Sequence, residues 1–371
     1  MKLSIERSAL LKAVNAVRGS VERKATIPIL ANVLLAASGE QLSITGTDLD
    51  IECRTVAPAE VSKPGQITVA CEILRDIASK VGASDKISME VEKGGDTLIV
   101  KSGRSRFKLN TIPATDFPSL NVGKFDATFV ITSDHLTGLF SKTEFAISDE
   151  ATRYYLCGTY LHPIARDNAS VLRACATDGH RLAMIDVDGP EGSHAMPGVI
   201  VPRRTVTQVI ALCDTADSVT VEVSTSKITF ETETTKLTSK LIDGQFPDYM
   251  RVVPLGNDKP LSVARQDFVD AIARVSAIKT ERSPAMKLSM GDGAVVLSMA
   301  NSDTGTSSDE LDAEYVSDPM EIGFNSRYLA EICSEIDADR IELKLADPGS
   351  PTIIAPVGDS GATYVLMPMR V

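Results

Sequence analysis

The chain has 371 residues, 43% of them apolar and 24% charged, with 38 basic against 50 acidic side chains and a net charge of −12. This is the composition of a soluble globular chain of two or three domains, and it excludes a disordered one. No apolar run approaches the roughly 18 residues of a membrane span, and an acidic total excludes a generic nucleic-acid binder.

In chain order, charge interrupts the N-terminal stretch Met1-Lys2-Leu3-Ser4-Ile5-Glu6-Arg7 at once. It lacks the apolar core of about 7–15 residues that a signal peptide needs, so export is not expected. Residues 3–5 read as a strand and 8–14 as a helix. Residues 67–70 read as a second strand, followed by a helix with Ile73, Leu74 and Ile77 on its buried face. Residues 87–92 alternate apolar and polar, as a half-buried antiparallel strand does. Phe117-Pro118 closes this stretch, and residues 121–127 read as a linker rich in turn formers.

The order then repeats. Strand 129–131 precedes helix 134–140; strand 199–202 precedes a helix carrying Val206, Val209 and Ile210; 219–223 alternates; Phe246-Pro247 closes; and 254–260 is a second linker. A third copy has strand 261–263, helix 267–272, strand 320–323, a helix with Tyr328, Leu329 and Ile332, alternation over 341–345, and two last strands at 352–356 and 363–367. The copies start 126 and 132 residues apart, a domain-sized period. The expectation is an α+β fold of three similar domains, 1–125, 126–257 and 258–371. Each has two helices packed on antiparallel sheets of seven or eight strands. Their net charges are +3, −6 and −9, so the first and third attract.

Catalytic chemistry finds little to work with. The six cysteines are at least 18 residues apart, which excludes CxxC zinc and redox signatures, and the four histidines stand singly. Buried free thiols, no metal and no cofactor are the expectation. No phosphate-cradling glycine loop occurs. Gly358-Asp359-Ser360-Gly361 resembles the nucleophile segment of chymotrypsin-like serine proteases, but no histidine stands in that family's context, and a turn is the plainer reading. Thr177-Asp178-Gly179-His180-Arg181-Leu182 places an Asp–His pair without a nucleophile; a tight turn bending at Gly179 fits better than a general base. The terminus, 364–371, stays apolar to its end, either as a covered edge strand or as an exposed groove lined by two methionines. Helical cations (Lys12, Arg18, Arg75, Lys80, Lys142, Arg203, Arg204, Arg265, Arg274) would attract phosphates without reading sequence if they shared one surface.

With the threefold repeat, Thr45-Gly46-Thr47-Asp48-Leu49-Asp50, Ser102-Gly103-Arg104-Ser105-Arg106-Phe107, Arg153-Tyr154-Tyr155-Leu156, the 177–182 segment and Met367-Pro368-Met369-Arg370 fall in order. In these the chain resembles the bacterial DNA polymerase III β subunit family along essentially its whole length. The resemblance implies a head-to-tail homodimeric ring, helices lining the hole and sheets forming the rim. Duplex DNA passes through it without sequence readout. It implies a cytoplasmic processivity factor without catalytic activity, loaded by an ATP-driven clamp loader. Its partners would be the polymerase III catalytic subunit and other polymerases and repair proteins that carry clamp-binding motifs. It further implies DNA contacts at Lys24, Arg153, Tyr154 and Arg204, and a dimer interface of Arg104, Arg106, Phe107 and Leu109 against Ile278. Glu72 and Ile73 stand where the family often has basic residues. A partner-peptide pocket between the second and third domains would be lined by Leu156, Thr177, Gly179, His180, Arg181, Leu182, Pro247, Arg251, Val252, Val365, Leu366, Met367, Pro368, Met369 and Arg370. Leu366 replaces a smaller valine common in the family. The alternative expectation is a three-domain scaffold that binds partners but never encircles DNA.

Overall fold

The computed structural model describes the chain except residues 23–25, 83–85, 93, 121–122, 167–168, 280–284 and 359–360. Lys24, the start of the first linker, and Asp359 and Ser360 of the protease-like turn therefore lie outside the described residues. The first third runs β1 (Lys2–Glu6), α1 (Arg7–Arg18), β2 (Asn32–Ser38), β3 (Gln41–Thr47), β4 (Ile51–Pro58), β5 (Glu60–Lys63), β6 (Gly65–Ala70), α2 (Cys71–Lys80), β7 (Lys86–Val91), β8 (Thr97–Ser102) and β9 (Ser105–Ile112). The middle runs β10 (Ala127–Thr132), α3 (Ser133–Glu144), β11 (Gly158–Arg166), β12 (Ala169–Thr177), β13 (Arg181–Asp188), β14 (Val199–Pro202), α4 (Arg203–Cys213), β15 (Ser218–Val223), β16 (Lys227–Glu231) and β17 (Thr235–Lys240). The last part runs β18 (Lys259–Ala264), α5 (Arg265–Val275), β19 (Ala285–Gly291), β20 (Ala294–Asn301), β21 (Gly305–Asp312), β22 (Glu314–Tyr315), β23 (Met320–Asn325), α6 (Ser326–Glu335), β24 (Arg340–Leu345), β25 (Thr352–Pro356) and β26 (Ala362–Leu366).

Every helix follows directly on a strand, which is the unit that the sequence repeats. Apolar residues three and four apart turn one face inward: Leu10, Ala13, Val14 and Val17 in α1, Phe268, Ala271, Ile272 and Val275 in α5. Each such leucine or valine removed from water contributes about 1.5–3 kcal/mol. Among the described residues the three repeats hold nine, eight and nine strands; the middle one meets the seven or eight expected and the other two exceed it by one. The uncounted ones are short or polar, such as β22 (Glu-Tyr) and β21 (Gly-Thr-Ser-Ser-Asp-Glu-Leu-Asp), and bury too little to show in a hydrophobic pattern. The last strand stops at Leu366, one residue before its expected end.

The ladders around the site are antiparallel. They form sheets of 13, nine and four strands, and the larger two run across repeats: β17 pairs with β4, and β13 with β26. By backbone contact the chain forms two compact units. The first holds Met1–Thr137, Pro190–Pro197 and Thr207–Leu241; the second holds Gly138–Gly189, Gly198–Val206 and Ile242–Val371. The middle repeat contributes to both, because each half of it is stitched to a neighbour by a shared sheet. Five cysteines are buried, Cys157 is half-buried, and all six are free thiols. Among the described residues, no helix is long and apolar enough to cross a membrane and no cluster of side chains could hold a metal ion.

Candidate functional site

The second unit gathers an apolar cluster around the step from β13 to β26, where the candidate groove would lie. In register, Arg181 faces Leu366 and Leu182 faces Val365. Alternation puts Leu182, Met184, Cys175 and Val365 on one sheet face, where they cluster with Leu156, Ile200, Phe246 and Tyr249. Tyr155, Tyr160, Ile242, Val253 and Ile353 pack against this cluster. Around this apolar floor, Pro247, Arg251, Val252, Met367 and Met369 are exposed. Of the residues named from the family resemblance, Leu156, Leu182 and Val365 fall in this cluster; Cys175, Met184, Ile200, Phe246 and Tyr249 were not named.

The terminal segment is tied at two points. Met367 N–H donates to His180 O at 2.9 Å, and Met369 N–H donates to Gly323 O at 2.7 Å. Gly323 lies under the tail, and a β-carbon there would collide with the Met369 carbonyl and Val371. The methionines are therefore held at the mouth by backbone bonds while their side chains stay accessible.

The 177–181 turn is a dense local network. Thr177 Oγ1 donates to Arg181 O at 2.6 Å and accepts Gly179 N–H at 3.1 Å. Asp178 Oδ1 accepts the N–H groups of His180 and Arg181 at 2.8 and 3.0 Å. The Asp178 carboxylate thus organises a turn, as expected, rather than polarising the His180 imidazole, whose ring stacks on Tyr328. Gly179 has φ +90°, a conformation costly for any side chain, and the Arg153 guanidinium lies over it.

Arg181 does not open into the groove. Its side chain is 8% exposed, donates Nε to Asp178 at 3.2 Å and Nη2 to Phe145 O at 2.6 Å, and pairs through Nη1 with Glu331. The guanidinium lies 4.4 Å from the Tyr328 ring centre and 4.9 Å from that of Phe145. Tyr328 and Glu331 on α6 were absent from the sequence reading of the site. Tyr328 was placed there on the buried helix face; it is instead half-buried between Arg181, Arg327 and His180.

A second overlooked feature is a polar row across three strands. His162, Arg173 and Asp186 are successive register partners on β11, β12 and β13. Arg173, 5% exposed, grips Asp186 with Nε–Oδ1 at 2.5 Å and Nη2–Oδ2 at 2.7 Å. Burial, then the adjacent Arg173 cation, pushes the His162 pKa down to about 4. The imidazole, which also faces Tyr160, Tyr249 and Asp186, is neutral in the folded protein. An unfolded histidine binds a proton near pH 6.5, so this contribution to stability is complete above that pH and is lost as pH falls toward 4. Between pH 7 and 4, wild type is expected to lose on the order of 2 kcal/mol more than His162→Asn by urea titration. Parallel pH profiles would contradict the assignment.

The first unit carries the same turn on a different floor. Thr47 Oγ1 donates to Ile51 O at 2.8 Å and accepts Leu49 N–H at 3.1 Å; Asp48 Oδ1 accepts Asp50 and Ile51 N–H at 2.9 and 2.8 Å; Leu49 has φ +79°. Lys240 N–H donates to Asp50 O, as Met367 does to His180 O. Where Leu182 faces Val365, however, Glu52 faces Thr238, and the Glu52 carboxylate accepts Leu120 N–H at 2.9 Å. An apolar anchor there would have to desolvate a carboxylate, so one copy of the turn borders an apolar groove and the other does not.

The remaining sequence-named residues lie elsewhere. Arg153 and Tyr154 sit on the short 3-10 turn Ala151–Leu156; Arg153 pairs with Glu150 at 2.5 Å, and Tyr154 is exposed. Arg204 is exposed at the start of α4, beside Arg203, which is tied to Asp149 and to the Glu144 and Ile147 carbonyls. Arg104 and Arg106 are exposed at the β8–β9 hairpin, and Phe107 and Leu109 are half-buried on β9. Among the described residues, β9 beyond Thr111 and Ile112, which meet β6, pairs only with β8, leaving residues 105–110 an open edge. In the second unit, among the described residues, β21 pairs only with β20, and Ile278 lies nearby, its carbonyl accepting from Thr304 Oγ1 at 2.8 Å. Glu72 is paired with Arg18 at 2.7 Å, and Ile73 is 51% exposed.

Comparison with known proteins agrees with this arrangement. Family models described as the N-terminal, central and C-terminal domains of the DNA polymerase III beta subunit match residues 1–121, 130–248 and 250–370. The chain is 43% identical to a beta sliding clamp of Caulobacter vibrioides over 372 residues and 33% identical to that of Escherichia coli K12 over 374, each match covering all of both chains. A solved DnaN sliding clamp of Bartonella birtlesii, bound to griselimycin, superposes with TM-score 0.97 at 41% identity, covering both chains fully. The three matched domains and the full-length relatives converge: the chain belongs to the DNA polymerase III beta subunit family, the beta sliding clamps.

Proposed function

We infer that this chain is a DNA sliding clamp, a ring of two copies that encircles duplex DNA, tethers the replicative polymerase and has no catalytic activity of its own. The observation that carries the reading is the end-to-end match to beta sliding clamps, in a chain whose apolar cluster at Leu182 and Val365 is followed by the tethered 367–371 tail. Partner proteins, among them the polymerase, the clamp loader, other polymerases and repair proteins, would seat short motifs there, with aliphatic or aromatic anchors against the floor. The three domains would be 1–125, 126–257 and 258–371. Lys24, Arg153, Tyr154 and Arg204 would touch phosphates weakly, as a tether that slides requires. A clamp acting on bacterial DNA would work in the cytoplasm. The scaffold that never encircles DNA has no observation of its own in its favour.

Two open strand edges support the pairing of copies. β9, with Arg106 and Lys108 exposed, would add to the edge of β21 in the partner, which carries Asp309, Glu310 and Asp312, and Phe107 and Leu109 would pack against Ile278. This contact is heterologous and closes at two subunits. It joins a repeat of net charge +3 to one of −9. Arg106→Glu is expected to weaken the dimer about tenfold in sedimentation equilibrium, roughly 1.4 kcal/mol; an unchanged dissociation constant would remove Arg106 from the interface. Primer extension on a singly primed circle, under single-binding conditions with loader and ATP, tests the function. Long products that depend on this chain are expected, and unchanged product length would contradict it.

A further inference from the structure

The groove's rim is carried by an irregular segment. Phe246 and Pro247 lead into the single 3-10 turn Tyr249–Val252, which bears Arg251 and Val252 and belongs to no sheet. Its own ion pair, Arg251 to Asp248, is exposed and local. What fixes it to the floor is side-chain packing onto β11 and β12. Phe246 stacks on Tyr160 at 4.9 Å, and Tyr160 on His162 at 4.2 Å. Tyr249 stands edge-on to His162 and to Phe246. The Tyr249 hydroxyl, on a side chain 7% exposed, reaches the polar row: Arg173 Nη1 lies 3.3 Å from it and His162 Nε2 3.0 Å. Arg173 Nη1 also approaches Met250 Sδ at 3.6 Å.

Arg173 can only donate, so the Tyr249 oxygen accepts from it, and a second hydrogen bond joins the phenol to His162 Nε2. Asp186 occupies the other two arms of the guanidinium, holding Nη1 toward the rim. Cys175 and Met184 lie on the same sheet face as Arg173 and Asp186, two residues along their strands, and Leu182 two residues further. The polar row is therefore the end of the floor to which the rim is bolted.

We propose that the Asp186–Arg173–His162 row, acting through the Tyr249 hydroxyl, is a positioning device that sets the rim segment 246–252 against the groove floor and so tunes partner-motif affinity without touching the motif. This rests on the groove being the partner-motif site.

The test uses the full-length dimer and a fluorescein-labelled peptide Gln-Leu-Ala-Leu-Phe, read by anisotropy. Tyr249→Phe keeps the ring and removes only the hydroxyl. It is expected to weaken binding at least fivefold, with the dimer constant unchanged and the protein still folded at the assay temperature. The ¹³C-methyl resonance of Met250 should shift in this variant and in Asp186→Asn, and Arg173→Lys should perturb it less than Arg173→Met does. Affinity within twofold of wild type in Tyr249→Phe, or an unmoved Met250 resonance, would overturn the proposal. A chain lacking residues 367–371 is measured alongside. If it binds as wild type does, the groove reading itself fails; if it loses binding while Tyr249→Phe does not, only the positioning role fails.

Discussion

Removal of residues 367–371 is expected to abolish binding of partner-motif peptides, by a hundredfold or more, while leaving the dimer intact. The segment brings Met367 and Met369 to the mouth of the groove and is held there by two backbone hydrogen bonds, to His180 and Gly323. It follows the last strand and supplies no strand to a sheet, so its loss removes binding surface rather than core. An anchor in a desolvated pocket is worth roughly 2–4 kcal/mol, and a mouth stripped of both methionines forfeits at least that. Isothermal titration with the peptide and sedimentation equilibrium of the truncated chain check both halves. Full peptide affinity would refute the assignment of the groove, and loss of the dimer would place the tail in the subunit contact instead.

Arg181→Met should destabilise the protein by about 3–5 kcal/mol, the range for breaking a buried ion pair by removing one partner. The guanidinium is 8% exposed, satisfies Asp178, Glu331 and the Phe145 carbonyl, and lies between two rings. Its loss leaves Asp178, 14% exposed, without its cation in the turn that borders the groove. Urea titration at pH 7 measures the effect. A change below about 1 kcal/mol would mean that Arg181 is a ligand-facing residue whose interior contacts contribute little, the role suggested by family resemblance alone.

How far the sequence discloses this molecule depends on what each residue buries. The helices were legible because Leu10, Val14 and Val17, or Phe268, Ile272 and Val275, must share a face. β21 and β5 were not, because an edge strand with a single apolar residue has no period to detect. The sharing of sheets between repeats, β4 with β17 and β13 with β26, has no local signal at all.

The same distinction holds at the site. Leu182, Val365 and the tail could be named from their motifs. The Thr177–Leu182 turn was readable as a turn, yet its twin at Thr47–Glu52 shows that turn chemistry alone does not make a groove. What separates them is one facing pair, Leu182 with Val365 against Glu52 with Thr238, and register settles that pair. Arg173 offered a signal that went unused: an arginine at an alternate position within the apolar run Val171-Leu172-Arg173-Ala174-Cys175 marks either an exposed face or a buried pair. Asp186, 13 residues on, completes the pair only once β12 and β13 are aligned.

Topological retention on DNA tests the central claim most directly. The protein is loaded onto a nicked circular plasmid with its clamp loader and ATP, the complex is isolated by gel filtration, and half of it is cut with a restriction enzyme before a second filtration. A closed ring that slides predicts retention on circles and loss from linear DNA. Equal retention on both would mean that contacts grip the duplex, and absence from both, with an active loader, would mean that the chain never encircles it; either result contradicts the account.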